Sequence, residues 1–185
     1  MQSFKIQAIG LAAMLLLAGA GPVPQAKAGS APEIDAATHA TLDRFYRDVR
    51  SSRELARRAV GILVFPTVVK AGFGFGGEYG EGELLVHGRP AGYYNDVSGS
   101  FGFQIGAQAR SVIIMFMTPE ALDAFRIRDG WKAGVDGSVT VIAVGAGGAI
   151  DTNTIRSPVV GFIFDQKGLM YNLTLEGSKI SRIYR

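Results

Sequence analysis

The sequence predicts an α+β domain that is mostly β: an antiparallel, strongly coiled or barrel-like sheet, a long N-terminal amphipathic helix and one short internal helix. Three observations carry this. From Gly61 onward, apolar and small residues alternate with period two, the spacing that puts successive side chains on opposite faces of a strand. Residues 34–60 instead repeat their apolar positions with helical spacing. Glycine makes up 25 of the 185 residues and recurs at alternate strand positions, where it marks close backbone approach, bending or a bulge.

The first segment lies outside that domain. A basic start ending at Lys5 leads into an apolar run from Ile6 to Gly21, broken only by Gln7. Pro22 and Pro24 end any helix, and Ala26-Lys27-Ala28 supplies a small-x-small exit. This is the grammar of a cleavable secretory signal over residues 1–28. At about 1.5 Å per residue the apolar run would span roughly 24 Å as a helix, short of the ~30 Å needed to cross a bilayer. Cleavage after Ala28 implies a periplasmic or secreted protein. There is no cysteine, so neither an acyl anchor nor disulfides hold it. Losing Lys5 and Lys27 lowers the net charge from +3 to +1, so the basic pI near 9.3 does not argue for a nucleic-acid partner.

Residues 29–33 read as a polar linker and 34–185 as one domain. Over the helix at 34–60, Leu42, Phe45, Val49, Leu55, Ala56, Ala59 and Val60 share one side. Arg44, Arg47, Arg50, Arg53, Arg57 and Arg58 fall on the other, and Asp35 is a candidate cap. The β-rich part, 61–185, opens with GILVF, stopped at Pro66, followed by strand-like VVKAGFGFGGEYG and EGELLV. His87 to Pro90 is turn chemistry, and strands resume through AGYYND, SGSFGFQIGAQAR and SVIIMFM. Thr118-Pro119-Glu120 starts a short helix, with Ala121, Leu122 and Phe125 as its buried stripe and Asp129-Gly130 as its end. Strands return over 130–148, in a last hairpin turning at Asp165 to Gly168, and at Lys179 to Ile183. That makes eight or so strands in all.

Several motifs lead nowhere. Gly72 to Gly77 spells GxGxxG, but no helix follows and no βαβ unit surrounds it, so a dinucleotide site is not expected. The sequon at Asn172-Leu173-Thr174 falls inside an expected strand. With two histidines and no cysteine, thiol nucleophiles and zinc–thiolate centres are excluded, and no metal or other cofactor is implied. Glu78, Glu81, Glu83 and Asp96 could pair as hydrolytic carboxylates or bind calcium. They could equally be solvated acids near strand ends.

The arginine face is the one patch with a mechanism, because a guanidinium fork grips phosphate oxygens in pairs. Across 34–60 six arginines oppose four acids, and a net +2 near an anionic surface gives about 2 kcal/mol. Stable attachment would need apolar insertion as well. The residues alone leave this reading level with a merely solvated helix face.

From about Val60 to the end, the chain resembles the SYLF lipid-binding domain family. The resemblance rests on GILVFPTVVKAGFGFGGEYGEGELL, GYYN, GFQIGAQ, MTPEALDAF, GWKAGVDGSV and GFIFDQKGLMYNLTLEGSKISRI. It implies a non-enzymatic protein that binds phosphoinositide-type membranes, and in some eukaryotic members actin. By the same resemblance a basic amphipathic segment at the domain's start contributes to lipid contact. That points to Arg44, Arg47, Arg50, Arg53, Arg57, Arg58 and the nearby Lys70. Export speaks against actin and makes anionic phospholipid headgroups the expected partner, with peripheral, reversible membrane contact. The alternative is a structural or protein-interaction module of the cell envelope.

Overall fold

The computed structural model describes residues 28–144, 156–168, 175 and 177–185. The apolar leader, the glycines at 145–148 and the sequon lie outside the described residues. The mostly β expectation holds: one strongly curled half-barrel sheet carries three helices among the described residues. Six strands occur among the described residues, and the first two are much longer than the sequence suggested.

The spine is a single long hairpin, β1 (Gly61–Val86) against β2 (Arg89–Phe116), in antiparallel register from Gly61↔Phe116 to Val86↔Arg89. Its two-residue turn needs positive φ at both central positions. His87 takes φ 50° and Gly88 φ 74°. Pro66 does not stop the first strand as expected. It sits in a register shift between Phe65 and Val68, where its missing N–H leaves no gap in the ladder. Ser111 Oγ donates to its carbonyl at 2.8 Å. The GxGxxG stretch is continuous strand within β1, as the lack of a following helix implied.

The free edge of β2 carries two wings. Near its start it pairs with β6 (Lys179–Ile183), which pairs with the short β3 (Trp131–Lys132). Near its end it pairs with β5 (Val159–Gly168), which pairs in parallel with β4 (Thr140–Ala143). The expected turn at Asp165 to Gly168 is instead a bulge inside β5. Asp165 takes φ 53° while the ladder runs on to Gln108↔Gly168. A Gly-terminated polar run reads as a turn only until a partner strand is present to pair with it.

The curl separates two hydrophobic layers. Inside it, Leu63, Phe65, Val112, Ile114 and Phe116 pack with α3 (Pro119–Ile127) and Trp131. Helix α3 begins as expected, with Thr118 Oγ1 accepting from Ala121 N at 3.2 Å, and it buries Leu122 and Phe125. Outside it, Val64, Ile113, Met115 and Phe162 lie under the N-terminal helices, where Phe45 meets Phe162 edge-on at 4.9 Å.

The continuous helix expected at 34–60 does not form. It is two helices, α1 (Ala31–Asp48) and α2 (Ser52–Arg58). Serines compete for helix carbonyls. Ser52 Oγ donates to the carbonyls of Val49 at 2.6 Å and Phe45 at 3.3 Å, while Ser51 turns the chain at φ 64°. The break lets Leu55 bury alongside Leu42, Phe45 and Val49, each contributing about 1.5–3 kcal/mol. Helix α1 also starts earlier than Ile34, and Asp35 is not its cap. Glu33 Oε2 accepts from Ser30 N at 2.8 Å and Ser30 Oγ at 2.7 Å, and Pro32 fits the first turn.

Candidate functional site

Two cavities meet at one strand crossing. An open, mainly apolar groove of about 670 Å³ runs between the start of α1 and the curled part of β1. Gly29, Glu33, Ile34 and Ala37 form one wall. Pro66, Thr67, Val69 and Ala71 form another, with Gly77 to Glu81, Val97 and Ser98 completing it. Val69, Tyr79 and Val97 are large apolar side chains left exposed there. A second pocket of about 340 Å³ is lined by Arg44, Ala109, Arg110, Ser111, Asp165 and Lys167, and it shares Pro66 and Thr67 with the groove.

The second pocket is cationic. Asp165 lies 3.6 Å from Arg44 Nε and 3.7 Å from Lys167 Nζ, so one acid faces two cations. Arg44 is further oriented by donating to Thr41 Oγ1 at 3.1 Å. The bulge at Asp165 brings Lys167 to α1, although 123 positions separate the two cations in sequence (167 minus 44).

The other arginines stay apart from this pocket. Arg47, Arg50, Arg53, Arg57 and Arg58 are exposed on α1, α2 and the link between them. Arg47 lies 3.7 Å from Asp48, and Arg53 stacks over the Tyr46 ring at 5.2 Å. Lys70 is corrected outright. It is buried at 6% exposure on the inner face of β1 opposite Gln108, out of reach of a membrane surface. Proximity in sequence suggested it, and the curl of β1 turned it inward.

The acids are not solvated as one reading had it. Glu78 is buried and accepts from Arg110 at 2.5 Å, with side chains 3% and 1% exposed. Glu78 lines the groove and Arg110 the pocket, so this pair forms part of the partition between them. Asp96 is buried on the same inner face. Burial first, then the charge of Glu78, push its carboxyl up to about 7, against the opposing pull of Ser178 and Arg110. Glu83 is fully buried under α1 beside Thr38, and neither of its oxygens has a hydrogen-bond partner among the described residues. Burial and then Asp35 raise its pKa too. The four acids do not converge: Glu78 and Asp96 face inward, whereas Glu81 and Glu83 face α1. No cluster of metal-ligating side chains occurs among the described residues.

A pH dependence follows. An acid whose folded pKa is raised binds protons more tightly folded than unfolded, so stability falls as pH rises from its unfolded value through its folded one. For Asp96 that window runs from about 4 to 7. The melting temperature at pH 5 should exceed that at pH 8, by at least about 1 kcal/mol in stability. Asp96→Asn should flatten that slope in a calorimetric pH series.

No curated protein matches the chain. Residues 97–183, from the middle of β2 through β6, match the family described as Ysc84, Las17-binding protein actin regulator. That segment begins just after Asp96 and contains the groove residue Val97 and the pocket residues Arg110 and Lys167. The match covers a little under half of the chain and is consistent with a Ysc84-type SYLF domain, the resemblance already carried by the motifs from Val60 onward.

Proposed function

We propose that this protein is a non-enzymatic, exported domain that binds anionic phospholipid membranes peripherally. In this reading the groove takes up apolar material while Arg44 and Lys167 meet the headgroup, and the exposed arginines of α1 and α2 add long-range attraction. The observation that carries it is the junction at Pro66 and Thr67, where an apolar groove opens beside a pocket lined by three cations, Arg44, Lys167 and the Glu78-paired Arg110, and one acid, Asp165. Charge alone gives only about 1 kcal/mol per basic residue at a membrane, and the groove supplies the missing apolar contribution. The family is associated with lipid binding and actin regulation. Export through the leader separates this member from actin.

The test is co-sedimentation of residues 29–185 with phosphatidylglycerol-containing and purely zwitterionic vesicles at low and high salt. Binding should need the anionic lipid and weaken with salt. Arg44→Gln with Lys167→Gln should weaken it by about thirtyfold, the equivalent of about 2 kcal/mol. Reversing Arg47, Arg50 and Arg53 to Glu should add to the loss. A folded Arg44→Gln/Lys167→Gln protein that binds unchanged removes the pocket assignment. No vesicle binding together with a defined oligomer would favour an envelope interaction module.

A further inference from the structure

Glu81 lies where the start of the domain and its last residues meet. Its Oε2 accepts the backbone N–H of Gly29 at 2.9 Å. Its Oε1 accepts from Arg185 at 2.5 Å and from the Tyr79 hydroxyl at 2.5 Å. Burial alone would raise its pKa, but the hydrogen bonds from Tyr79, Gly29 and Arg185 hold it below the usual carboxylate value. The carboxylate is therefore kept ionised and aimed at one backbone nitrogen.

That nitrogen belongs to the residue following the Ala26-Lys27-Ala28 exit. We propose that leader removal after Ala28 turns the Gly29 nitrogen into an α-ammonium that pairs with Glu81, so that processing fastens the start of α1 to the sheet. The inference rests on the exported reading. In the hydrolysis a signal peptidase adds water across the Ala28–Gly29 bond. Ala28 leaves as a carboxylate, and the nitrogen stays on Gly29 as an amine that takes up a proton. A neutral amide donor becomes a cation with three donors, at an unchanged position against the carboxylate.

The site also suits glycine sterically. A Cβ there would meet Ile34 Cγ1 at 3.1 Å and Glu81 Oε2 at 3.4 Å. Gly29, Glu33 and Ile34 form a wall of the apolar groove, so the pair fixes that wall in the mature protein. The other polar groups around the carboxylate are already engaged. Arg185 and Tyr79 both donate to Oε1, the Tyr79 hydroxyl being pushed up to about 12 by burial and by Glu81 itself, and Glu33 accepts from Ser30.

An ammonium gaining this partner has a raised pKa. Its stabilisation is complete below the ordinary α-amino value of about 7.7–8.0 and is lost as pH rises through the raised one. On the acid side it persists above the usual carboxylate range and is lost as pH falls through the lowered pKa of Glu81.

The experiment is an NMR titration of the α-amino group in a chain released to begin at Gly29. It should titrate at least about one pH unit, a tenfold change in proton affinity, above the same group in a chain beginning at Ala28. Glu81→Gln should return it to the ordinary range, and the Ala28-first comparison stands even if that variant unfolds. An ordinary value in the folded Gly29-first chain overturns the ion pair. Separately, intact mass of the exported full-length product should correspond to a start at Gly29. A start elsewhere or a retained leader overturns the processing assignment, and a chain found only in the cytosolic fraction defeats the exported reading itself.

Discussion

Replacing Arg110 with methionine is expected to destabilise the domain by about 3–5 kcal/mol, the loss that follows when one partner of a buried ion pair is stranded. Arg110 and Glu78 are 1% and 3% exposed and 2.5 Å apart, so the Glu78 carboxylate would be left buried without its counter-charge. The guanidinium also opposes the raised pKa of Asp96. Without it, two buried carboxyls face each other with their main counter-charge removed. Urea unfolding at pH 7 would measure the loss. Two further results separate this cause from lost packing. Glu78→Gln combined with Arg110→Met should recover most of the stability, because a neutral buried pair carries no stranded charge. The deficit of Arg110→Met alone should also shrink at pH 5, where Asp96 takes up its proton. A loss under about 1 kcal/mol at pH 7 would mean the pair does not hold the inner face together.

Where the signal was local, the sequence was enough. Thr118-Pro119 starts α3, His87-Gly88 turns the hairpin, and period-two alternation runs through β1 and β2. The cap of α1 was legible too, in Ser30-x-x-Glu33, but Asp35 beside the first periodic residue drew attention from it. What escaped depends on partners distant in sequence. Asp165 to Gly168 bulges because β2 is there to pair with, and Pro66 is tolerated because the ladder shifts around it. The helix break at Ser51 is decided by where Leu55 can bury.

The candidate site divides in the same way. The arginine face was visible as a pattern, but which arginine lines a pocket depends on Asp165 and Lys167 arriving from β5. Lys70 alternates as any strand residue does, and only the curl makes its side the inside. Acids near Glu78 resemble solvated ones until Arg110, 32 positions away, is seen against them. The groove left no signal beyond the glycines that let β1 fold back on itself.

Those glycines carry the second large effect. Gly82→Ala is expected to cost about 4 kcal/mol or more, or to prevent folding, because backbone rather than side chain occupies the space. A Cβ there would lie 2.1 Å from the Val64 carbonyl oxygen, against about 3.3–3.6 Å for an ordinary close carbon–oxygen contact. Val64 cannot retreat freely, because it is registered against Ile113 in the middle of the hairpin. Gly80→Ala should be milder, since its closest obstacle is a side-chain methyl, Val68 Cγ2 at 2.8 Å, and the nearest backbone atom, the Thr67 carbonyl oxygen, lies at 3.1 Å rather than 2.1 Å. Gly77→Ala meets nothing within 4 Å and should change stability by no more than about 0.5 kcal/mol. The three positions lie in one strand with the same substitution, so β propensity and chain entropy largely cancel in the comparison. The order 77, 80, 82 in rising cost, read by thermal unfolding, isolates the crossing of residues 64–68 over 80–82. That crossing also sets Pro66 and Thr67 against Gly80 in the groove, so a Gly80→Ala protein that folds should bind vesicles more weakly while Gly77→Ala binds normally. Equal stabilities across the series would mean that β1 does not close on itself, and the groove would lose the wall that joins it to the cationic pocket.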